Sequence, residues 1–225
     1  MLAWIFQTIA FAPLAPAPTP TFTLVWHDSA HLFPDAGLAR LGGEMEALFR
    51  RNGLSITFHA AREHEDLLSI PEPRVNAVVV PREDWRFGLP PNTMAATLGE
   101  KGAKYTIFVF YPSVRRTLGY REDVTSPRQV AELSRALARV VAHEVIHVLA
   151  PERGHAESGL MSGNLGREEL LADSIVLDPR SRESARDRIE ALGSSLAAGS
   201  KFPIPERTSR SIVAPEVPFL CPSVR

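Results

Sequence analysis

The chain has 225 residues, of which 44% are hydrophobic and 23% charged, the proportions of an ordinary globular domain with one core or at most two lobes, which excludes wholesale disorder. Lys plus Arg number 25 against 26 Asp plus Glu, a formal charge of −1, so there is no large basic footprint for nucleic acid or an anionic membrane, and no nucleic-acid partner is expected. The single cysteine, Cys221, excludes an internal disulfide and a multi-cysteine zinc site.

In chain order, residues 1–17 are apolar over the length of a signal peptide and end in small residues at Ala15 and Ala17. They lack a basic leading region, and Pro18 follows Ala17. The expectation is export, secreted or periplasmic, with an N-terminal anchor as the outcome if the segment is not cleaved. The run is too short and Pro-interrupted for a good span, and no later stretch is long enough, so no stable membrane span is expected after processing. Residues 12–20 read as a Pro-rich linker.

Segments 22–26, 54–58, 75–80 and 105–110 are rich in β-branched and aromatic residues and read as strands of one sheet. Between the first two, residues 35–51 place Leu38, Leu41, Met45 and Leu48 at helical spacing, weakened by Gly42-Gly43 and stopped by Asn52-Gly53, which suggests a strand-helix-strand crossover. The last of these strands, 105–110, is a candidate to pair with an extended peptide. Ser126-Pro127 offers a helix start, and Val130, Leu133, Leu137, Val140, Val141 and Ile146 continue an apolar stripe. A short helix near 167–176 and a charged helix from about 180 to 196 follow, the second with a solvated face. The domain plan is therefore 1–20 signal-like segment and linker, 21–199 folded domain, and 200–225 a Pro-rich tail.

Inside the long apolar helix stand His143, Glu144 and His147, an HExxH pattern. Four residues is just over one helical turn, so both imidazoles project from one face and can grip one metal ion, with Glu144 beside it as a base. Neutral imidazole suits Zn²⁺, and a carboxylate outside the ligand set can take a proton from an activated water. Two His and a Glu in so apolar a helix would be costly unless something satisfied them. Pro151 ends the helix near Ala150, and Gly154 gives freedom just before His155, which can swing back to complete the three protein ligands of a catalytic zinc site.

The run of His143, Glu144, His147 and His155, with Leu160-Met161 downstream, resembles the zincin metallopeptidases, and among them the metzincins. It departs from the metzincin spacing: Ala150 stands where that family has Gly, and His155 lies two residues late, so the chain reads as a metzincin-like variant over residues 140–162. The resemblance implies an α+β zincin-like fold with a mixed twisted sheet followed by the HExxH helix and C-terminal helices. It also implies zinc as cofactor, peptide or protein as substrate, Glu144 as general base and Met161 as a Met-turn floor beneath the metal. A competing third ligand is Glu169, with Glu168 adjacent; Glu169 and Asp173 form an ExxxD pattern similar to the carboxylate-bearing helix of gluzincins. Acidic residues there also suit the positive end of a helix dipole.

The expected function is a zinc-dependent metalloendopeptidase. Two alternatives stand beside it: a non-catalytic zincin-fold binding protein with structural zinc, and a zinc hydrolase of a non-peptide amide or ester. His27, His31, His59 and His64 read as surface or core histidines. Tyr105, Tyr111 and Tyr120 are weaker candidates for a phenol that stabilises an oxyanion.

Overall fold

The structure is a computed structural model that describes residues 21–61, 70, 73–81, 89–90, 92–98, 105–122 and 124–197. The signal-like segment 1–20 and the tail 200–225 lie outside the described residues. No helix among the described residues is long and apolar enough to cross a membrane.

Ten elements follow one another: β1 (Phe22–His27), α1 (Asp35–Arg51), β2 (Ile56–Ala60), β3 (Arg74–Val80), β4 (Ala95–Leu98), β5 (Thr106–Phe110), α2 (Tyr111–Thr117), α3 (Pro127–Leu149), α4 (Arg167–Leu171) and α5 (Pro179–Ala197). The five strands form one mixed sheet in the order β2-β1-β3-β5-β4. All neighbours are parallel except β4, which runs antiparallel to β5 with Thr97 opposite Ile107. The fold is thus α+β, with the sheet first, the HExxH helix next and further helices after it, as the sequence implied.

The outer strands are β2 and β4, which corrects one expectation. Residues 105–110 lie inside the sheet, bonded to β3 on one side and β4 on the other, so they have no edge to offer a peptide. β4 itself escaped the reading of the sequence, as did α2.

Phe22, Leu24 and Trp26 alternate on the helix-facing side of β1, where the Phe22 ring meets Phe49 of α1 edge-on and Trp26 meets Phe33. The expected weak point at Gly42-Gly43 is a close approach instead. A Cβ on Gly42 would come within 2.8 Å of the Phe58 ring, so glycine there lets α1 lie against β2. The other face of α1 packs on α3, where Ser134 is fully buried and Arg135 meets Glu44 at 3.6 Å.

α3 begins where the sequence placed it. Ser126 accepts from the Gln129 backbone N–H while the Gln129 side chain returns to the Ser126 backbone, a reciprocal capping box with Pro127 in the first turn. From Ala136 to the end of the helix every residue is buried, so this half runs through the centre of the molecule and depends on its neighbours to satisfy its polar groups. The helix stops at Ala150, ahead of Pro151. α4 is shorter than the expected 167–176, because the chain leaves the helix at Ala172, an extended residue (ψ 151°).

Candidate metal centre

His143 and His147 leave the same face of α3 one turn apart, and the chain beyond Pro151 brings a third imidazole back to them. Arg153 N–H donates to Ala150 O at 2.9 Å, closing a tight turn immediately after the helix, and His155 follows. The three rings form a triangle with centroid separations of 4.7, 5.0 and 5.2 Å. Their nitrogens converge: His147 Nε2 is 3.1 Å from His143 Nε2 and 3.3 Å from His155 Nε2. Nitrogens bound to one tetrahedral zinc at about 2.0–2.1 Å stand about 3.3–3.4 Å apart, so these separations are close to the edge of such a tetrahedron.

Protonation sharpens the fit. His143 Nδ1 is 2.7 Å from Leu160 O, and a carbonyl only accepts, so this nitrogen carries the hydrogen and Nε2 presents a lone pair to the cluster. His147 hydrogen-bonds to the backbone of Arg153, which anchors its ring as well. A single proton can bridge one pair of facing nitrogens, whereas a metal ion bridges all three. His143, His147 and His155 are a group that could hold a metal ion.

Burial keeps these rings neutral. It pushes His143 down to about 3, helped by the neighbouring His147 and opposed by the bond to Leu160. It pushes His147 down to about 4, with His155 as the second cause. His155 is lowered too, also by burial, although its ring forms the exposed rim of the cluster. Neutral imidazole is the form that binds metal.

Glu144, next to His143 in sequence, is fully buried, and its Oε2 accepts a hydrogen bond of 2.7 Å from Thr97 Oγ1 on β4. Met161 is fully buried next to Leu160; its carbonyl accepts from Ala156 N–H at 2.7 Å, closing the loop that follows His155. Leu160 N–H donates to Val176 O, and the neighbouring Leu177 N–H donates to the buried Asn52 Oδ1, two struts that tie the loop to the segment after α4. Gly159 has φ +79°, and a Cβ there would meet Val176 O at 2.4 Å, so this turn takes only glycine. The backbone at Gly163 lies against the His155 ring.

The carboxylate alternatives point elsewhere. Glu169 Oε2 accepts from Gly166 N–H at 2.9 Å as a cap of α4, and Glu168 and Asp173 are exposed; none of the three belongs to the histidine group. This agrees with the helix-dipole reading of that stretch. Tyr120 donates its hydroxyl to Glu132, with Arg167 over its ring at 5.9 Å. That position is eleven residues before His143 on α3, about 16 Å along the axis. Tyr111 opens α2 as a buried residue, and His27 bonds to Asn76 across the sheet at 3.2 Å. Among the described histidines outside the cluster, His27, His31 and His59 do not join it, and His64 lies outside the described residues.

The roles of Thr97 and Asn52, and the bond from His143 to Leu160 O, have no signal in the sequence. The pairs Thr97–Glu144 and Asn52–Leu177 are 47 and 125 positions apart, beyond any local spacing rule.

No family model and no curated protein matches the chain. Among solved structures it is similar to the crystal structure of archaemetzincin from Methanopyrus kandleri, at 11% identity and a TM-score of 0.44, over 79% of this chain and 99% of that one. The chemistry of the site therefore stands on its own residues.

Proposed function

We propose that the chain is a zinc-dependent metallopeptidase in which His143, His147 and His155 hold the metal and Glu144 is the general base. The observation that carries this reading is the convergence of three Nε2 atoms, at 3.1 and 3.3 Å, two of them from α3, with the buried Glu144 next to His143 in sequence. A zinc ion held there supplies Lewis acidity at neutral pH.

The rest is the work of the chain. The bond from His143 to Leu160 fixes which nitrogen faces the cluster, and the His155 side leaves it open to solvent. Glu144, next to His143 in sequence and one turn from His147, accepts the proton of the attacking water and returns it to the leaving amine. Met161, fully buried, serves in this reading as an apolar floor beneath the metal without bonding it. Three imidazoles with no fourth His, Cys or carboxylate in the group, among the described residues, favour a catalytic site with an open position over a closed structural one. A peptide is the proposed substrate, and a non-peptide amide or ester is the nearest rival.

The test is metal content of the purified protein and its Glu144→Gln variant, with cleavage of casein measured with and without a chelator. One zinc per chain in both, and chelator-sensitive cleavage in the parent alone, supports the reading. Zinc without cleavage would favour the structural alternative, and protein without zinc would end the proposal.

A further inference from the structure

The carboxylate of Glu144 has no exposed surface, and a buried carboxylate is costly unless a donor meets it. Thr97 Oγ1 is such a donor, at 2.7 Å from Oε2. β4 reads Ala95-Ala96-Thr97-Leu98, so Thr97 is the one hydroxyl that the strand carries. Alternate side chains share a face of a strand, which puts Thr97 on the same side as the fully buried Ala95, and β4 packs on α3. Pairing with β5 locks the register, Thr97 opposite Ile107, and the β-branched side chain has few rotamers to lose. The donor is held by backbone pairing, and its target is held by the central helix.

We propose, resting on the metallopeptidase reading above, that Thr97 is a positioning residue for Glu144: its hydroxyl holds one carboxylate oxygen and so orients the base toward the three histidines before substrate arrives. Thr97 acts through Glu144 and touches neither metal nor reacting atoms. Strand propensity alone would also account for a threonine here, but valine has the same shape and serves that purpose equally well. The two explanations separate at that substitution.

The experiment compares Thr97→Val and Thr97→Ser in the full chain by zinc content, casein kinetics and melting temperature of the metal-free protein. The melts include a double-mutant cycle with Glu144→Leu, which removes the acceptor. Thr97→Val should keep its zinc and its KM within about twofold while kcat falls about 10- to 100-fold, as expected for a misoriented catalytic group. Thr97→Ser should recover most of that loss. In the metal-free protein, Thr97→Val should lower the melting temperature when Glu144 is present and have little effect in the Glu144→Leu background, the non-additivity of a direct contact. Unchanged kcat in Thr97→Val, or additive melting shifts, would overturn the proposal and leave the metallopeptidase reading standing. A parent with no chelator-sensitive cleavage would instead sink that reading and, with it, the catalytic meaning of the contact, while the cycle still reports whether the contact exists.

Discussion

His143 is tied through Nδ1 to the carbonyl of Leu160 at 2.7 Å, and Leu160 in turn hangs by its N–H from Val176. One residue of the loop after His155 thus links His143 to the segment that follows α4. The cluster is braced through the backbone of this loop, and its sensitivity to distant substitutions follows from that bracing.

His155→Ala should lose zinc, whereas Glu168→Gln and Glu169→Gln should retain it. Zinc per chain after dialysis against a weak chelator decides between the two ligand sets. The carboxylate variants should lower stability slightly at most, since Glu169 caps a five-residue helix.

Acid should unfold the metal-free protein over a defined window. The folded pKa values of His143 and His147, about 3 and about 4, lie below the ordinary value of 6.5. Well above 6.5 both rings are neutral in both states, so burying them carries no protonation cost. As pH falls from there toward 4 and then 3, the unfolded chain takes up protons that the folded chain refuses, and stability declines. Each ring contributes a slope of at most about 1.4 kcal/mol per pH unit. Denaturant midpoints of metal-free protein at pH 7, 6 and 5 should fall progressively, and a flat series would contradict the neutral buried pair.

Asn52 is a buried amide that accepts from Leu177 N–H at 3.0 Å and donates to Leu48 O at 2.9 Å. Asn52→Leu leaves a buried N–H without an acceptor, at a cost of about 1–3 kcal/mol. Because Leu177 adjoins Val176, which holds Leu160, zinc affinity should weaken along with stability. Urea denaturation and a zinc titration on the same variant would show whether the two fall together.

Arg139, 4% exposed, stands one turn before His143 and donates to the carbonyls of Glu169 and Ala172, closing the C-terminal end of α4. Burial, with Arg135 nearby, pushes its guanidinium down to about 10, so it remains charged at neutral pH. Arg139→Met removes two charge-assisted bonds and should destabilise by about 3 kcal/mol. For a domain of this size that is a fall of roughly 6–12 °C in melting temperature. A variant that melts with the parent would show that α4 needs no clamp.

Much of this architecture is written locally. The capping signal at Ser126 and Pro127, the stop at Pro151 and the one-turn spacing of His143 and His147 are short-range features, and each structural counterpart lies where the sequence places it. β4 was invisible because Ala-Ala-Thr-Leu carries little strand propensity; its extended form comes from pairing with β5. α2 was hidden by Tyr111-Pro112, which reads as the end of a strand, although proline is well tolerated in a first helical turn. The struts at Thr97 and Asn52 depend on the folded path, which brings together residues that no sequence window contains.

The turn from Ala150 to Arg153 gives the cluster a tolerance for changes in length. It takes up chain right where the helix ends, so the third imidazole reaches the other two although His155 follows His147 by eight positions. What binding requires is where the side chains finish, and the count of residues between them is free to drift. Natural insertions and deletions should therefore collect between Pro151 and Gly154, and relatives of this chain would be found more readily by the meeting of their ring nitrogens than by any fixed string of letters.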